Sequence, residues 1–220
     1  MEDILIPKTI IRCKRRSIAL IIDKNADLIV RAPIKSSDKE ILKFILEKQN
    51  WIITKKQEIS KNIMPVINIA DGEKIKILDN YYTIIIGESA RVKCIDSLLL
   101  VPKENAKERV IAFLKKTLSK HIKERADLIS NQFGFEYDSI TINSAKGHWG
   151  SCSASNKLHF TYRLVLCPTQ VIDYIIIHEL CHTKVKNHSM KFWKLVKSIC
   201  PNYKYYNSWL KENRSIMNII

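Results

Sequence analysis

The chain has 220 residues, 46% hydrophobic and 27% charged, with a formal net charge of +15. That length and balance suit one globular domain, or a domain with a substantial extension, and argue against wholesale disorder. No apolar run reaches the roughly 18 to 20 residues that cross a bilayer, and MEDILIPKTIIRCKRRS lacks the long apolar stretch of a signal peptide, so a cytoplasmic protein with no membrane partner is expected.

The first third opens with SIALIIDKNADLIVRAP, two β-rich runs about a turn-like DKNAD, which predicts a hairpin. SSDKEILKFILEKQNWIITKKQEIS starts with capping residues and carries Ile41, Phe44, Ile45 and Ile52 at helical spacing, predicting one helix that ends near Ser60. NIMPVINIADG is a connector. The runs KIKIL, YYTIIIG, RVKCI and SLLLVP, separated by polar or turn-forming breaks, predict a small antiparallel meander.

After Pro102 the pattern turns helical. Val110, Phe113, Leu114, Leu118 and Ile122 share a face of a long helix that Gly134 ends. A strand SITIN, a polar turn SAKGHWGSCSASNK and a second strand LHFTYRLVLC follow, closed by Pro168. Thr169 is placed to cap a helix over QVIDYIIIHELCHTK, and Ser189 to cap MKFWKLVKSIC, which Pro201 terminates; YNSWLKENRS suggests a last short helix. Segregated blocks of strands and helices predict an α+β fold, with an N-terminal α+β portion at 1–102 and a C-terminal portion at 103–220, or one continuous domain.

Two composition features bear on partners. Cys13, Cys94, Cys152, Cys167, Cys181 and Cys200 are scattered with no CxxC pair, as expected for small buried side chains rather than a thiolate zinc site. The positive charge admits a nucleic-acid partner without requiring one. Lysine far outnumbers arginine, whereas phosphate and base recognition leans on arginine's planar fork.

The chemistry concentrates in HELCH. His178, Glu179 and His182 form H-E-x-x-H at the polar end of an apolar helix, where positions i and i+4 share a face one turn apart. Two imidazoles so placed converge on one Zn²⁺, and Glu179 sits one position round, within reach of a metal-bound water. A catalytic site needs a third ligand and an open position; His188, six residues after His182, supplies the ligand if the chain reverses across KVKN. The plain alternative is a set of solvated histidines on a basic protein. His148 and His159 flank the strand pair and are candidates to approach substrate, while Tyr162, Arg163 and Tyr203 are candidates to hold an oxyanion. LHFTYRLVL is the expected edge strand for an extended peptide, ahead of SITIN. Cys152 has no paired base to mark it as a nucleophile, Trp149 and Trp193 suit core anchors, and His121 is expected to be exposed.

WGSCS, YRLVLCP, VIDYIIIHELCH, NHS, FW and YNSWL, taken in order, resemble the YgjP-like metallopeptidases, zincin relatives grouped with the WLM and SprT-like proteins. The likeness is densest from Ser139 to Leu210. It implies a zinc-dependent peptidase with one Zn²⁺ per chain held by His178, His182 and His188. Glu179 is then the catalytic base, and a sheet lies against the H-E-x-x-H helix. The family usually has arginine where this chain has His148, which puts its substrate preference in question. The rival readings are a basic nucleic-acid-associated protein with structural zinc, and a protease acting on nucleic-acid-bound proteins.

Overall fold

The computed structural model describes residues 5–23, 26–61 and 69–218, with side chains throughout except at 58–61. The chain forms two compact units, Met1–Met64 and Pro65–Ile220. Both mix helix and sheet: the described residues contain three small sheets and six α-helices. None of these helices is long and apolar enough to cross a membrane. Most of the predicted connector NIMPVINIADG lies outside the described residues.

In the first unit β1 (Thr9–Cys13), β2 (Ala19–Ile22) and β3 (Leu28–Pro33) form a sheet of order β1-β3-β2. The predicted hairpin is the antiparallel β2–β3 pair, and β1 runs parallel to β3. Leu28, Val30 and Ala32 alternate onto one fully buried face of β3, as the two-residue period of a strand requires. Ile41, Ile45 and Ile52 complete that core. They come from two helices rather than the single predicted one: α1 (Asp38–Glu47) and α2 (Gln49–Lys61). Lys48 breaks the run by leaving the helical region at φ −104°, ψ 12°. A capping box of Ser37 and Glu40 starts α1.

The second unit begins with β4 (Lys74–Ile77), β5 (Asn80–Gly87), β6 (Lys93–Ile95) and β7 (Leu98–Pro102), in the order β4-β5-β7-β6. This is not the antiparallel meander expected, because β7 inserts beside β5 and runs parallel to it. Burial accounts for the exchange. β7 carries Leu99 and Val101, both fully buried, whereas β6 is exposed along its length, so the apolar strand takes the interior and the polar one the edge. The expected division at Pro102 does not fall between compact units either. Leu99 and Val101 share one core with Val110, Leu114, Leu118 and Ile122 of α3 (Ala106–Phe133), so the sheet and the helix are one body. Gly134 ends α3 as predicted, at φ +64°, its N–H donating to the Ser130 carbonyl.

Beyond α3 lie β8 (Ser139–Asn143), β9 (Gly150–Cys152) and β10 (Lys157–Thr161), in the order β8-β10-β9. The polar turn thus contains a three-residue strand. The second predicted strand stops at Thr161, and Tyr162–Leu166 forms a 3-10 helix with every residue buried. A short run buried on all sides suits a buried strand or a buried helical turn alike, so periodicity does not tell the two apart. The order also overturns the expected peptide edge: β10 is central, flanked by β8 in parallel and β9 antiparallel, so its ladder groups are already engaged. The edges are β8 and β9.

Three helices close the chain: α4 (Thr169–Lys184), α5 (Met190–Ile199) and α6 (Tyr203–Glu212), with a 3-10 turn at Arg214–Asn218. In α4 Val171, Ile172, Tyr174, Ile175, Ile176, Ile177, Leu180 and Cys181 are all buried. A helix apolar on every side is a central element, and this one carries the H-E-x-x-H sequence at its C-terminal end.

Candidate metal centre

The start of α4 is set by a residue ninety positions away. Thr169 was expected to cap the helix; the N-cap position is Pro168, which has no side-chain donor or acceptor to offer. Asp79 substitutes. Its Oδ2 accepts from the Thr169 N–H at 3.0 Å and from the Thr169 hydroxyl at 2.7 Å, and its Oδ1 pairs with the Lys76 ammonium at 3.0 Å. Burial alone would raise the Asp79 pKa, but the two Thr169 hydrogen bonds and Lys76 outweigh it and hold it at about 2. A carboxylate at a helix N-terminus also opposes the helix dipole favourably.

At the other end α4 stops at Lys184, with the Val185 N–H donating to the Cys181 carbonyl at 2.9 Å. The chain then turns back through 185–189. Lys186 pins this loop to the β9–β10 turn by donating to the Ser153 carbonyl at 2.8 Å and to Asn156 Oδ1. Ser189 occupies the N-cap of α5 in extended conformation, although its hydroxyl makes no cap hydrogen bond. The reversal brings His188 Nε2 to 3.1 Å from His178 Nε2 and 3.2 Å from His182 Nε2. One ligand atom from each of the three imidazoles lies within 4.8 Å of the others.

The surroundings suit neutral imidazoles. Phe192, fully buried, stacks on His182 with ring centroids 4.3 Å apart and meets His178 and His188 edge-on at 4.9 Å each. Burial, with the neighbouring His182 and His188, pushes His178 down to about 3, and burial likewise lowers His182. His182 Nδ1 lies 3.0 Å from the Val185 carbonyl; a carbonyl only accepts, so Nδ1 carries the proton and Nε2 presents its lone pair to the centre. His188 Nε2 offers either one N–H or one in-plane lone pair, so it can make a hydrogen bond to only one of its two close neighbours and leaves the other contact unsatisfied. A cation among the three nitrogens removes that conflict. Two nitrogens on a tetrahedral Zn²⁺ lie about 3.3 Å apart, close to the two separations from His188 Nε2, so the three residues fit a zinc ion.

Glu179 stands beside them, 4% exposed. Burial pushes its pKa up to about 8, and a cation at the imidazoles acts in the opposite sense by favouring the carboxylate. Gly150 of β9 packs directly against it: a Cβ at that position would lie 2.9 Å from Glu179 Cγ and Oε1. A cavity of about 280 Å³ opens beside His178 and Glu179, walled by His148, Trp149 and Gly150 on one side and by Asn207, Lys211 and Arg214 on the other.

The other expected site residues fall elsewhere. Of the five residues expected to meet substrate or an oxyanion, His148, His159, Tyr162, Arg163 and Tyr203, only His148 lines this cavity. Tyr162 and Arg163 are 1% and 2% exposed within the 3-10 helix, where the Arg163 guanidinium covers the Tyr162 ring and donates to the Ser144 carbonyl; they are core residues. His159 lies on the central strand between Leu158 and Phe160, both core-facing, and so projects from the opposite face. Tyr203 stacks on Trp193 at 5.5 Å and belongs to the packing of α5 on α6. Cys152 is half-buried beside Lys186, with its thiol pKa raised by burial. His121 is partly buried rather than exposed, its Nε2 enclosed. Sequence reasoning missed Asn207, Lys211 and Arg214; their helical spacing was visible, but nothing local tied it to the histidines.

A comparison with curated protein sequences gives no match. Among solved structures, the chain resembles the metallopeptidase zymogen of Pyrococcus abyssi abylysin at 19% identity, covering 41% of this chain and 93% of that one, with a TM-score of 0.38. It also resembles the metallopeptidase zymogen of Methanocaldococcus jannaschii jannalysin at 24% identity, 40% and 94% coverage and a TM-score of 0.33. Both likenesses are partial. The sequence model of the family described as YgjP-like, metallopeptidase domain, matches residues 16–213. With nearly its whole length matched, this chain belongs to the YgjP-like metallopeptidase family.

Proposed function

We propose that the chain is a zinc-dependent peptidase in which His178, His182 and His188 hold one metal ion and Glu179 is the general base. The observation that carries this reading is the convergence of three imidazole nitrogens, 3.1 and 3.2 Å from His188 Nε2, beside a buried carboxylate and an open cavity. Bound there, zinc supplies Lewis-acid polarisation of a substrate carbonyl and lowers the pKa of water. The chain's own residues do the rest. Glu179 accepts a proton from the attacking water at its carboxylate and returns it to the departing amine nitrogen. His182 is held in the right tautomer by Val185, and Phe192 keeps the imidazole cluster dry on its inner side. Strand β9 is a sheet edge that touches Glu179 through Gly150; its outward backbone groups receive an extended peptide by main-chain pairing, in place of the strand first expected.

The test pairs metal content with turnover. Wild type and Glu179→Gln are both expected to carry about one zinc per chain by elemental mass spectrometry, and only wild type to cut a fluorogenic peptide library. A folded wild type that refuses zinc refutes the centre, and a Glu179→Gln variant with wild-type turnover removes Glu179 from the chemistry.

A further inference from the structure

We propose that the cavity beside Glu179 is a binding site for a substrate carboxylate, held by Lys211 and Arg214. The placement relative to the scissile bond rests on the peptidase reading above. The cavity's walls divide by chemistry. Tyr174, Ile175, Leu210 and Met217 give it apolar sides, while Lys211 and Arg214 bring two cations to it and Glu179 is the only carboxylate on its lining. Among the described residues neither Lys211 nor Arg214 has an acidic partner. Glu212, the nearest acid in sequence, is engaged by the Ser208 hydroxyl at 2.8 Å and does not line the cavity.

On a protein of charge +15, two lysine or arginine side chains at a cavity mouth are unremarkable by number alone. What distinguishes these two is the rigidity of their support. Leu210 and Met217, 5% and 3% exposed, root the segment on either side of them. Tyr206 stacks on Tyr174 of α4 at 6.1 Å, and Tyr203 on Trp193 of α5 at 5.5 Å, which ties α6 to the helix that carries His178 and His182 and to the helix that follows His188. Asn207 and Lys211 stand one helical turn apart on the face turned to the cavity, and Arg214 opens the turn that follows. The backbone that carries the two exposed cations is therefore anchored to α4 rather than borne on a loose tail.

The volume, about 280 Å³, is at the small end for ligand pockets and suits one side chain or one chain end. Apolar walls together with two cations match the methylenes and carboxylate of an acidic residue. Arginine's fork accommodates a carboxylate in two parallel hydrogen bonds. A basic side chain there would face two like charges. The carboxylate has two sources, an acidic side chain next to the cut or the free C-terminus of a short substrate.

The experiment uses zinc-loaded protein and peptides that differ only at the residue beside the cut (Glu, Gln or Lys), each with a free or amidated C-terminus. Wild type is expected to favour Glu over Gln by about tenfold or more in kcat/KM, the scale of one charge-assisted hydrogen bond. A preference for the free acid over the amide would instead assign the site to the chain end. Arg214→Glu and Lys211→Glu should abolish the preference or turn it toward Lys. The same peptides are titrated by fluorescence anisotropy onto zinc-loaded Glu179→Gln, which reads the pocket without turnover. No charge preference in that binding, or a preference unchanged in both charge-reversal variants, overturns the proposal. A binding preference that vanishes in Arg214→Glu, from a wild type that cuts no peptide, upholds the pocket and sinks the peptidase reading alone.

Discussion

Gly150→Ala should separate the proposed chemistry of Glu179 from folding. The added Cβ would stand 2.9 Å from Glu179 Cγ and Oε1 and 3.1 Å from Cδ, against ordinary carbon contacts of about 3.5–4.0 Å. The overlap of roughly half an ångström to one ångström cannot be relieved by a surface side chain swinging away, because Glu179 is 4% exposed and its Cγ, not only its tip, is in the way. Overpacking of this kind costs about 1–3 kcal/mol. Reduced freedom of the unfolded chain returns about 0.4–1 kcal/mol, since this backbone is one that alanine also adopts. The net loss of stability is then at most about 2–3 kcal/mol, a Tm shift of several degrees for a chain this size.

Turnover should suffer far more. Displacing a catalytic group by about 1 Å costs on the order of a hundredfold, so kcat/KM on any cleaved peptide should fall by about that factor while zinc content stays at the wild-type level. Gly87→Ala, whose Cβ meets nothing within 4 Å, is the control. Wild-type kcat/KM in Gly150→Ala would refute the placement of Glu179 at the reacting centre. Loss of zinc in step with activity would mean that Gly150 supports the metal rather than the base.

Three further outcomes follow from the geometry. Asp79→Asn keeps a side chain that tolerates the left-handed backbone at φ +69° but removes the charge, and should lower stability at pH 7 by about 0.5–1 kcal/mol. Because the Asp79 pKa is depressed to about 2, its contribution is present above the unfolded value of about 3.9 and is lost as pH falls toward 2. The variant's urea midpoint should converge on that of wild type across that window, and a gap that persists at pH 2 contradicts the assignment. Lys186→Ala frees the loop that presents His188 and should weaken zinc about tenfold in a chelator competition, the usual scale for a residue that orients a ligand; unchanged affinity would show that the loop is held without it. His188→Ala removes an exposed residue, so the fold should survive, but zinc should be lost, and chelator, expected to lower the Tm of wild type, should leave that of the variant unchanged.

The parts of this architecture legible in the sequence are those whose cause is local. The long helix announces itself by the spacing of Val110, Leu114, Leu118 and Ile122 and by Gly134 at its end. His178 and His182 share a helix face by geometry alone, and His188 returns to them over a short loop. What could not be seen depends on distant pairing. Nothing near β10 says that β9 and β8 occupy its two edges, since the strand that covers one edge is three residues hidden in a polar turn. Tyr162 and Arg163 looked available because they are polar, yet a following 3-10 helix lays them under the core. Asp79 is invisible as a cap because ninety residues separate it from Thr169, and its turn offers no sign of where it docks.

The helix that bears the histidines is enclosed on nearly every side, and this limits where the protein is free to vary. A change at Ile172, Ile176 or Leu180 is a change to the interior of the whole second unit, so this helix has little latitude to drift toward a new task. The loop around His148 and the segment from Asn207 to Met217 touch the same cavity without bearing the same structural burden. New specificities would accumulate there, on two peripheral walls, while the imidazole cluster and Glu179 between them stay as they are.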